Sequence, residues 1–340
     1  MPFAPAQPII AIIDDYEGFV PALQAYADLK SQLPDAEIRI ISSQPLDDRA
    51  IESLRDVKYL VLIRERTRIS AALLDRLPAL KALVQTATAG VPETSHIDQA
   101  ACMARGISIL EGGASDGHSA AEIAWALILN ARRHVYDYMG SMAAGRWHQG
   151  RTGRGIGGSL RGETLGILGY GRVGQLLNGY AQAFGMQVLV WGRENSRQAA
   201  LRQGVSVAES RDALFEQSDI LTLQMRMNAE SRHSVTRRDL GLMKPTALLV
   251  NTSRPGLFEP GALAAALKAG RPGGAAIDVH DAEPVIGKSE LASLPNCIAT
   301  PHIGYVERQS YEILFQAAFQ SLLGFLREQQ TSVSGQRFAG

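Results

Sequence analysis

Thr164-Leu165-Gly166-Ile167-Leu168, followed at once by Gly169-Tyr170-Gly171-Arg172-Val173-Gly174, decides how the rest of the chain is read. The first run is short and apolar, the kind a parallel sheet buries on both faces. After the glycines, Val173, Leu176, Leu177, Tyr180 and Phe184 recur at helical spacing and predict one buried helix face. Between a strand and a helix, a Gly-x-Gly-x-x-Gly spacing has a physical meaning. Gly169 makes the tight turn, Gly171 lets backbone approach a pyrophosphate, and Gly174 allows the helix to pack close on the strand. Tyr170, Arg172 and Val173 complete the turn, and phosphates there would meet the free amides and positive end of the helix. A dinucleotide-binding unit in mid-chain is the prediction.

Working outward, further apolar runs at Gln187–Trp191, Ile220–Leu223, 247–251, 275–279 and Cys297–Ala299 extend the same alternation. Upstream, strands are expected at Ile9–Ile13, which stops at Asp14-Asp15, and at Glu37–Ile41, 59–63 and Ala82–Gln85, with helices at 22–32 and 71–76. Strands alternating with helices imply α/β layers with parallel sheets covered on both faces. A long helix over 119–134 bridges the two series, and the Gly-rich stretch 145–162, which carries Trp147, reads as a loop or arm. A last helix over 309–326 is placed to return to the first series, leaving 331–340 as a polar, frayed tail. The expected domains are 1–113 with 303–330, and 114–302.

A chain of 340 residues, 46% hydrophobic and 20% charged, has material for two packed domains and lies outside the disordered range. Its 34 basic and 34 acidic residues cancel, so no global field attracts nucleic acid or an anionic membrane, and neither is expected as a partner. Arg64, Arg66 and Arg68 are the densest basic run and read as a solvated sheet edge. Cys102 and Cys297 read as free buried thiols. The N-terminal residues lack a signal-peptide pattern, and no run approaches the ~18 apolar residues of a membrane span, so a cytoplasmic protein is expected. His96, His118, His134, His148, His233 and His280 show no metal-ligand spacing; they read as surface or packing residues, and no metal is expected.

About twenty residues past the glycine turn, an acid normally holds the ribose hydroxyls of NAD. Here the chain reads Trp191-Gly192-Arg193-Glu194. Gly192 removes the charge that would repel a 2′-phosphate, and Arg193 offers a guanidinium to pair with one. NADP is therefore preferred, with NAD as the alternative through Glu194 if the strand ends one or two residues later.

Arg254, Glu283 and His302 follow three successive strands, and parallel strands collect such groups at one edge. Reduction of a 2-keto acid needs a cation for the carboxylate and an acid active near neutrality for the new alkoxide. Arg254 suits the first role through its bidentate fork and His302 the second, while Glu283 would stabilise the imidazolium and fix its orientation. Asp278, at a strand end, can accept a hydrogen bond from a nicotinamide amide.

At these residues the chain resembles the D-isomer-specific 2-hydroxyacid dehydrogenases. The resemblance rests on Ala121-Glu122, Leu160-Arg161-Gly162 leading into the glycine turn, Asn251-Thr252-Ser253-Arg254, Asp278-Val279 with Glu283-Pro284, and Thr300-Pro301-His302-Ile303-Gly304. It implies a Rossmann cofactor domain inserted into a flavodoxin-like substrate domain, an active site in the cleft, and a homodimer formed through the cofactor domains. It also implies that Arg254, Glu283 and His302 are catalytic, that Thr252, Ser253, Asp278 and Gly304 lie by the nicotinamide, and that the substrate loop falls near Ala87, Thr88 and Ala89. Two departures stand out: Pro255, where the family has glycine, restricts Arg254 to extended backbone, and Tyr305 replaces a small residue where it can touch the substrate. The loop 86–95 offers no basic residue before His96 for a substrate phosphate, which favours a small unphosphorylated keto acid such as glyoxylate, hydroxypyruvate or pyruvate. The competing reading is a cofactor-sensing, corepressor-like binding protein without turnover, against which the intact Arg254, Glu283 and His302 set argues. A formate dehydrogenase would need an asparagine and a more apolar one-carbon site than this sequence offers.

Overall fold

The computed structural model describes residues 7–43, 45–87, 95–113, 115–148 and 156–336. The chain divides into two compact units, Met1–Ser115 with Val306–Gly340, and Asp116–Tyr305.

The first unit contains β1 (Ile9–Ile13), α1 (Gln24–Gln32), β2 (Glu37–Ile41), α2 (Asp48–Glu52), β3 (Tyr59–Leu62), α3 (Ala71–Asp75), β4 (Ala82–Gln85), α4 (Gln99–Ala104) and β5 (Ser108–Glu111). Its five strands are all parallel, in the order β2-β1-β3-β4-β5. The central strands β3 and β4 are buried throughout, as continuous apolar runs require when helices cover both faces. β5 was not expected, since Ser108-Ile109-Leu110-Glu111 is a short edge strand whose residues are never fully buried.

The expectation of a solvated arginine edge is corrected at Arg66. Its side chain is only 9% exposed, forks onto Glu17 at 2.8 and 2.9 Å, and donates to the Asp14 carbonyl at 2.7 Å and the Tyr311 hydroxyl at 3.1 Å. A planar guanidinium can satisfy several acceptors at once, so alternate spacing on a strand end served a buried clasp here.

The second unit runs through α5 (His118–Arg133), α6 (Val135–Ala143), β6 (Thr164–Leu168), α7 (Arg172–Ala183), β7 (Gln187–Trp191), α8 (Glu194–Arg202), β8 (Ser206–Val207), α9 (Arg211–Gln217), β9 (Ile220–Leu223), α10 (Arg237–Leu242), β10 (Leu248–Asn251), α11 (Ala262–Lys268), β11 (Gly274–Ile277), α12 (Glu290–Ser293) and β12 (Cys297–Ala299). Seven parallel strands lie in the order β12-β11-β10-β9-β6-β7-β8, so the chain reverses direction across the sheet between β6 and β9. One face of α5, including Ala121, Ala124 and Ile128, packs with Leu165 and Ile167 of β6 and Val250 of β10 in a single core.

Two expectations about helices change. The buried face of α7 is Gly174, Leu177, Asn178 and Ala181; Val173, Leu176 and Tyr180 are partly buried, and Phe184 is 44% exposed, resting edge-on against Trp125 at 5.1 Å. Glycine takes the inner position at 174 because the helix sits close to the strand there. α6 was not anticipated: Tyr136, Met139 and Met142 are exposed, so its apolar residues give no inward-facing signal. The final helix, α13 (Arg308–Gln336), belongs to the first unit and continues into the stretch expected to fray, since adding a turn to an existing helix costs little. Among the described residues no helix is long and apolar enough to cross a membrane.

Candidate active site

At the glycine turn each glycine is required for a different reason. Gly169 has φ +95°, and a Cβ there would lie 2.7 Å from the Gln224 carbonyl oxygen at the exit of β9. A Cβ on Gly174 would lie 2.8 Å from the Gly169 carbonyl. A Cβ on Gly171 meets nothing within 4 Å, so that backbone faces open space. No side chain caps the start of α7 at the same place. An open backbone at an uncapped helix start fits a dinucleotide pyrophosphate. Tyr170 is buried and donates to Gln203 at 2.8 Å, so it contributes to the turn through its backbone; Arg172 is exposed and Val173 packs on the core.

A cavity of about 480 Å³ opens from this turn and is lined by Gly169, Gly171, Gly192, Arg193, Ser196 and Arg226 among others. Arg193 is exposed at the start of α8. Glu194 is bound to Arg197 and, at 2.7 Å, to Gln198, within its own helix. A Cβ on Gly192 would stand 3.1 Å from Ser196 Cβ, a tight approach that Ser196 has to yield to slightly.

β10, β11 and β12 are neighbours, and their C-terminal ends carry the other candidates. Arg254 is extended, with φ −150° and ψ 141°, as the following proline demands. Its carbonyl accepts from the Asn251 amide at 2.9 Å, Asn251 Oδ1 accepts from the Ser253 N–H at 3.0 Å, and Arg254 Nη1 donates to the Ser253 carbonyl at 2.7 Å. Ser253 Oγ donates to the Leu223 carbonyl at 2.7 Å, and Thr252 Oγ1 lies 3.5 Å from Gln224 Nε2.

His302 Nδ1 is 2.6 Å from Glu283 Oε2, and both side chains are mostly buried. Burial alone would raise the Glu283 carboxyl, but the bond from His302, the charge of its imidazolium and the His280 N–H outweigh it and hold the group below the usual range. His280, read as a packing or surface residue, has a position in this assembly. Its N–H donates to Glu283 Oε1 at 2.9 Å, and its Nε2 pairs with the Thr300 carbonyl at 2.8 Å, bracing the Glu283 loop against the His302 loop.

His302 has φ +54°, a conformation that side-chain-bearing residues rarely adopt. Asp278 holds it there. This fully buried carboxylate accepts from Thr300 Oγ1 at 2.6 Å and Ile303 N at 2.9 Å on one oxygen, and from Gly304 N at 2.7 Å on the other. Burial raises its pKa, and these bonds and the nearby His302 charge oppose the rise. Gly304 is needed because a Cβ would lie 2.9 Å from Asp278 Oδ2 and 3.2 Å from Ile123. Asp278, singled out as an acceptor for a cofactor amide, is thus committed first to the chain itself. Tyr305 is buried with its ring 5.3 Å from His302 at 83°. Thr88 and Ala89 lie outside the described residues. Asn251 and Thr300 lie within sequence motifs that give them no role, and His280 reads from sequence as a surface or packing residue.

A doubly wound sheet with a glycine turn at one strand end suits a dinucleotide, and a paired imidazole and carboxylate at others suits proton transfer. Residues 125–304 match the family model for the D-isomer specific 2-hydroxyacid dehydrogenase NAD-binding domain. The chain is 31% identical to glyoxylate reductase of Thermococcus litoralis, over 82% of this chain and 83% of that one. It is 34% identical to (S)-sulfolactate dehydrogenase of Chromohalobacter salexigens, over 78% and 84%. A solved structure from Ralstonia solanacearum, described as a D-3-phosphoglycerate dehydrogenase oxidoreductase, is 47% identical with a TM-score of 0.88, covering 94% of each chain. The chain belongs to the D-isomer specific 2-hydroxyacid dehydrogenase family, whose chemistry is nicotinamide-dependent oxidoreduction of 2-hydroxy and 2-keto acids.

Proposed function

We propose that this protein interconverts a small, unphosphorylated 2-keto acid and its D-2-hydroxy acid, with NADP preferred over NAD. The observation that carries the catalytic part is the 2.6 Å bond between His302 Nδ1 and Glu283 Oε2, on strand ends neighbouring that of Arg254. Glu283 fixes Nδ1 as the donor to itself, which leaves Nε2 to exchange a proton with the substrate oxygen. Arg254 binds the substrate carboxylate, and Tyr305 bounds the space beside His302. A bound nicotinamide supplies or takes the hydride at C2. In the reducing direction, His302 Nε2 gives its proton to the carbonyl oxygen as the C2–H bond forms, and Glu283 keeps the imidazole oriented; oxidation reverses both movements.

NADP preference is supported by the glycine at 192, by Arg193 beside it, and by the engagement of Glu194 within α8. We assign the cofactor domain to the second unit and the substrate domain to the first, with Thr88 and Ala89 in the substrate loop. Tyr136, Met139, Met142 and Trp147, all at least 60% exposed, form an apolar stretch that suits a second copy of this chain in a homodimer through the cofactor domain.

An NADPH and NADH oxidation screen over 2-keto acids tests the reading. Turnover of glyoxylate, hydroxypyruvate or pyruvate is expected. Turnover of phosphohydroxypyruvate alone would overturn the unphosphorylated class and favour the activity by which the Ralstonia relative is described.

A further inference from the structure

We infer that Arg226 is a second phosphate ligand of the cofactor site and acts with Arg193 on an adenosine 2′-phosphate; the inference rests on the NADP reading above. Arg193 comes from the end of β7, whereas Arg226 comes from the segment after β9, yet both line the same cavity of about 480 Å³. The two segments are brought together by the glycine turn: the site of a Gly169 Cβ is 2.7 Å from the Gln224 carbonyl and 3.1 Å from Met225, so residue 226 emerges directly beside the turn.

The backbone of Arg226 is held in place. Ser231 Oγ donates to its carbonyl at 2.8 Å, and Asn228 exchanges two further bonds of 2.9 Å with Ser231. A third arginine of the cavity, Arg211, is already spent on Asp239 at 3.1 Å and on the Ser234 carbonyl at 2.7 Å. Arg197, next to the cavity, is spent on Glu194 and on the Trp191 ring. Glu230 also lines the cavity and is exposed, so two guanidinium charges face one carboxylate there. A dianionic phosphate carries enough charge for both arginines, whereas the neutral ribose hydroxyl of NAD does not. Ser196, against Gly192, adds a hydroxyl donor to the same corner.

The test is a set of binding titrations read by nucleotide fluorescence for NADPH and NADH, and by calorimetry for adenosine 2′,5′-bisphosphate. Wild type, Arg193→Ala, Arg226→Ala and Arg226→Lys are compared. Arg226→Ala is expected to weaken NADPH and the bisphosphate by ~10-fold or more and NADH by less than ~2-fold, with Arg226→Lys in between, because one charge-assisted pair is removed. NADPH preference in wild type with an Arg226→Ala constant unchanged would overturn the inference and leave the NADP reading standing. Wild type that binds NADH as tightly as NADPH would overturn both. Equal weakening of NADPH and NADH by Arg226→Ala would place this arginine on a part of the cofactor common to both and overturn the 2′-phosphate assignment.

Discussion

Glu283 and His302 are bonded at 2.6 Å across nineteen residues of chain, and each is held by a separate anchor, Glu283 by the His280 N–H and His302 by the loop that Asp278 gathers. The pair is therefore fixed by the chain before any substrate arrives, which is the arrangement that lets an imidazole present Nε2 in one orientation.

Replacing the carboxylate tests that half of the arrangement. Glu283→Gln keeps the shape and removes the anion facing the imidazolium, and is expected to lower kcat by ~10- to 100-fold, part of a general acid's share. Its signature is in the pH dependence. The folded carboxyl is held below its unfolded value, so its stabilising contribution is present above the ordinary carboxylate range and lost as pH falls through the folded pKa. Thermal unfolding of the variant against wild type from pH 7 to pH 3 is expected to show a deficit at pH 7 that shrinks in acid.

Asp278→Asn is expected to disturb the His302 loop more than the cofactor site. An amide nitrogen must then face the Thr300 hydroxyl, the Ile303 N–H or the Gly304 N–H, each now bonded to a carboxylate oxygen, and a buried donor left unmatched costs about 1–3 kcal/mol. A fall in kcat with dinucleotide affinity within ~3-fold of wild type is predicted. Loss of dinucleotide binding with kcat kept at saturation would assign Asp278 to the cofactor instead.

Asp14 is a buried carboxyl that the proposed chemistry does not use. It sits at φ +68° after β1, accepts from Thr67 at 2.8 Å and more distantly from Tyr16, and burial pushes its pKa up to about 6 against these bonds and the charge of Arg66. Because the folded pKa is raised, its favourable contribution is present below the unfolded value near 4 and is lost as pH rises through about 6. Asparagine tolerates the left-handed region and has no charge to bury. Asp14→Asn is thus expected to stabilise the protein at pH 7.5 by about 1–3 kcal/mol and to give little gain near pH 4, measured as paired urea midpoints at the two pH values.

Much of this molecule was legible before any coordinates. The apolar runs of β1, β4, β6 and β9 matched their strand bounds because strands buried on both faces advertise themselves by composition, and the less buried β2, β7 and β12 matched as well. Gly169, Gly171 and Gly174 were legible for the same reason that each is irreplaceable: backbone approaches leave no room for a Cβ, or need the space one would fill. α6 and β5 were not: α6 exposes Tyr136, Met139 and Met142, and no residue of β5 is fully buried. The supporting residues of the site were hidden as well. His280 and Thr300 meet across neighbouring strand ends, Asn251 bonds to groups of its own turn, and Arg66 is buried by partners such as Tyr311 that lie far along the chain.

The most direct measurement is single-turnover reduction of a 2-keto acid by His302→Ala, with dinucleotide binding titrated on the same preparation. If the imidazole delivers the proton, the chemical step slows by ~100-fold or more while the binding constant stays near that of wild type. An unchanged rate, or a slow reaction explained wholly by lost dinucleotide affinity, would contradict the role given to His302.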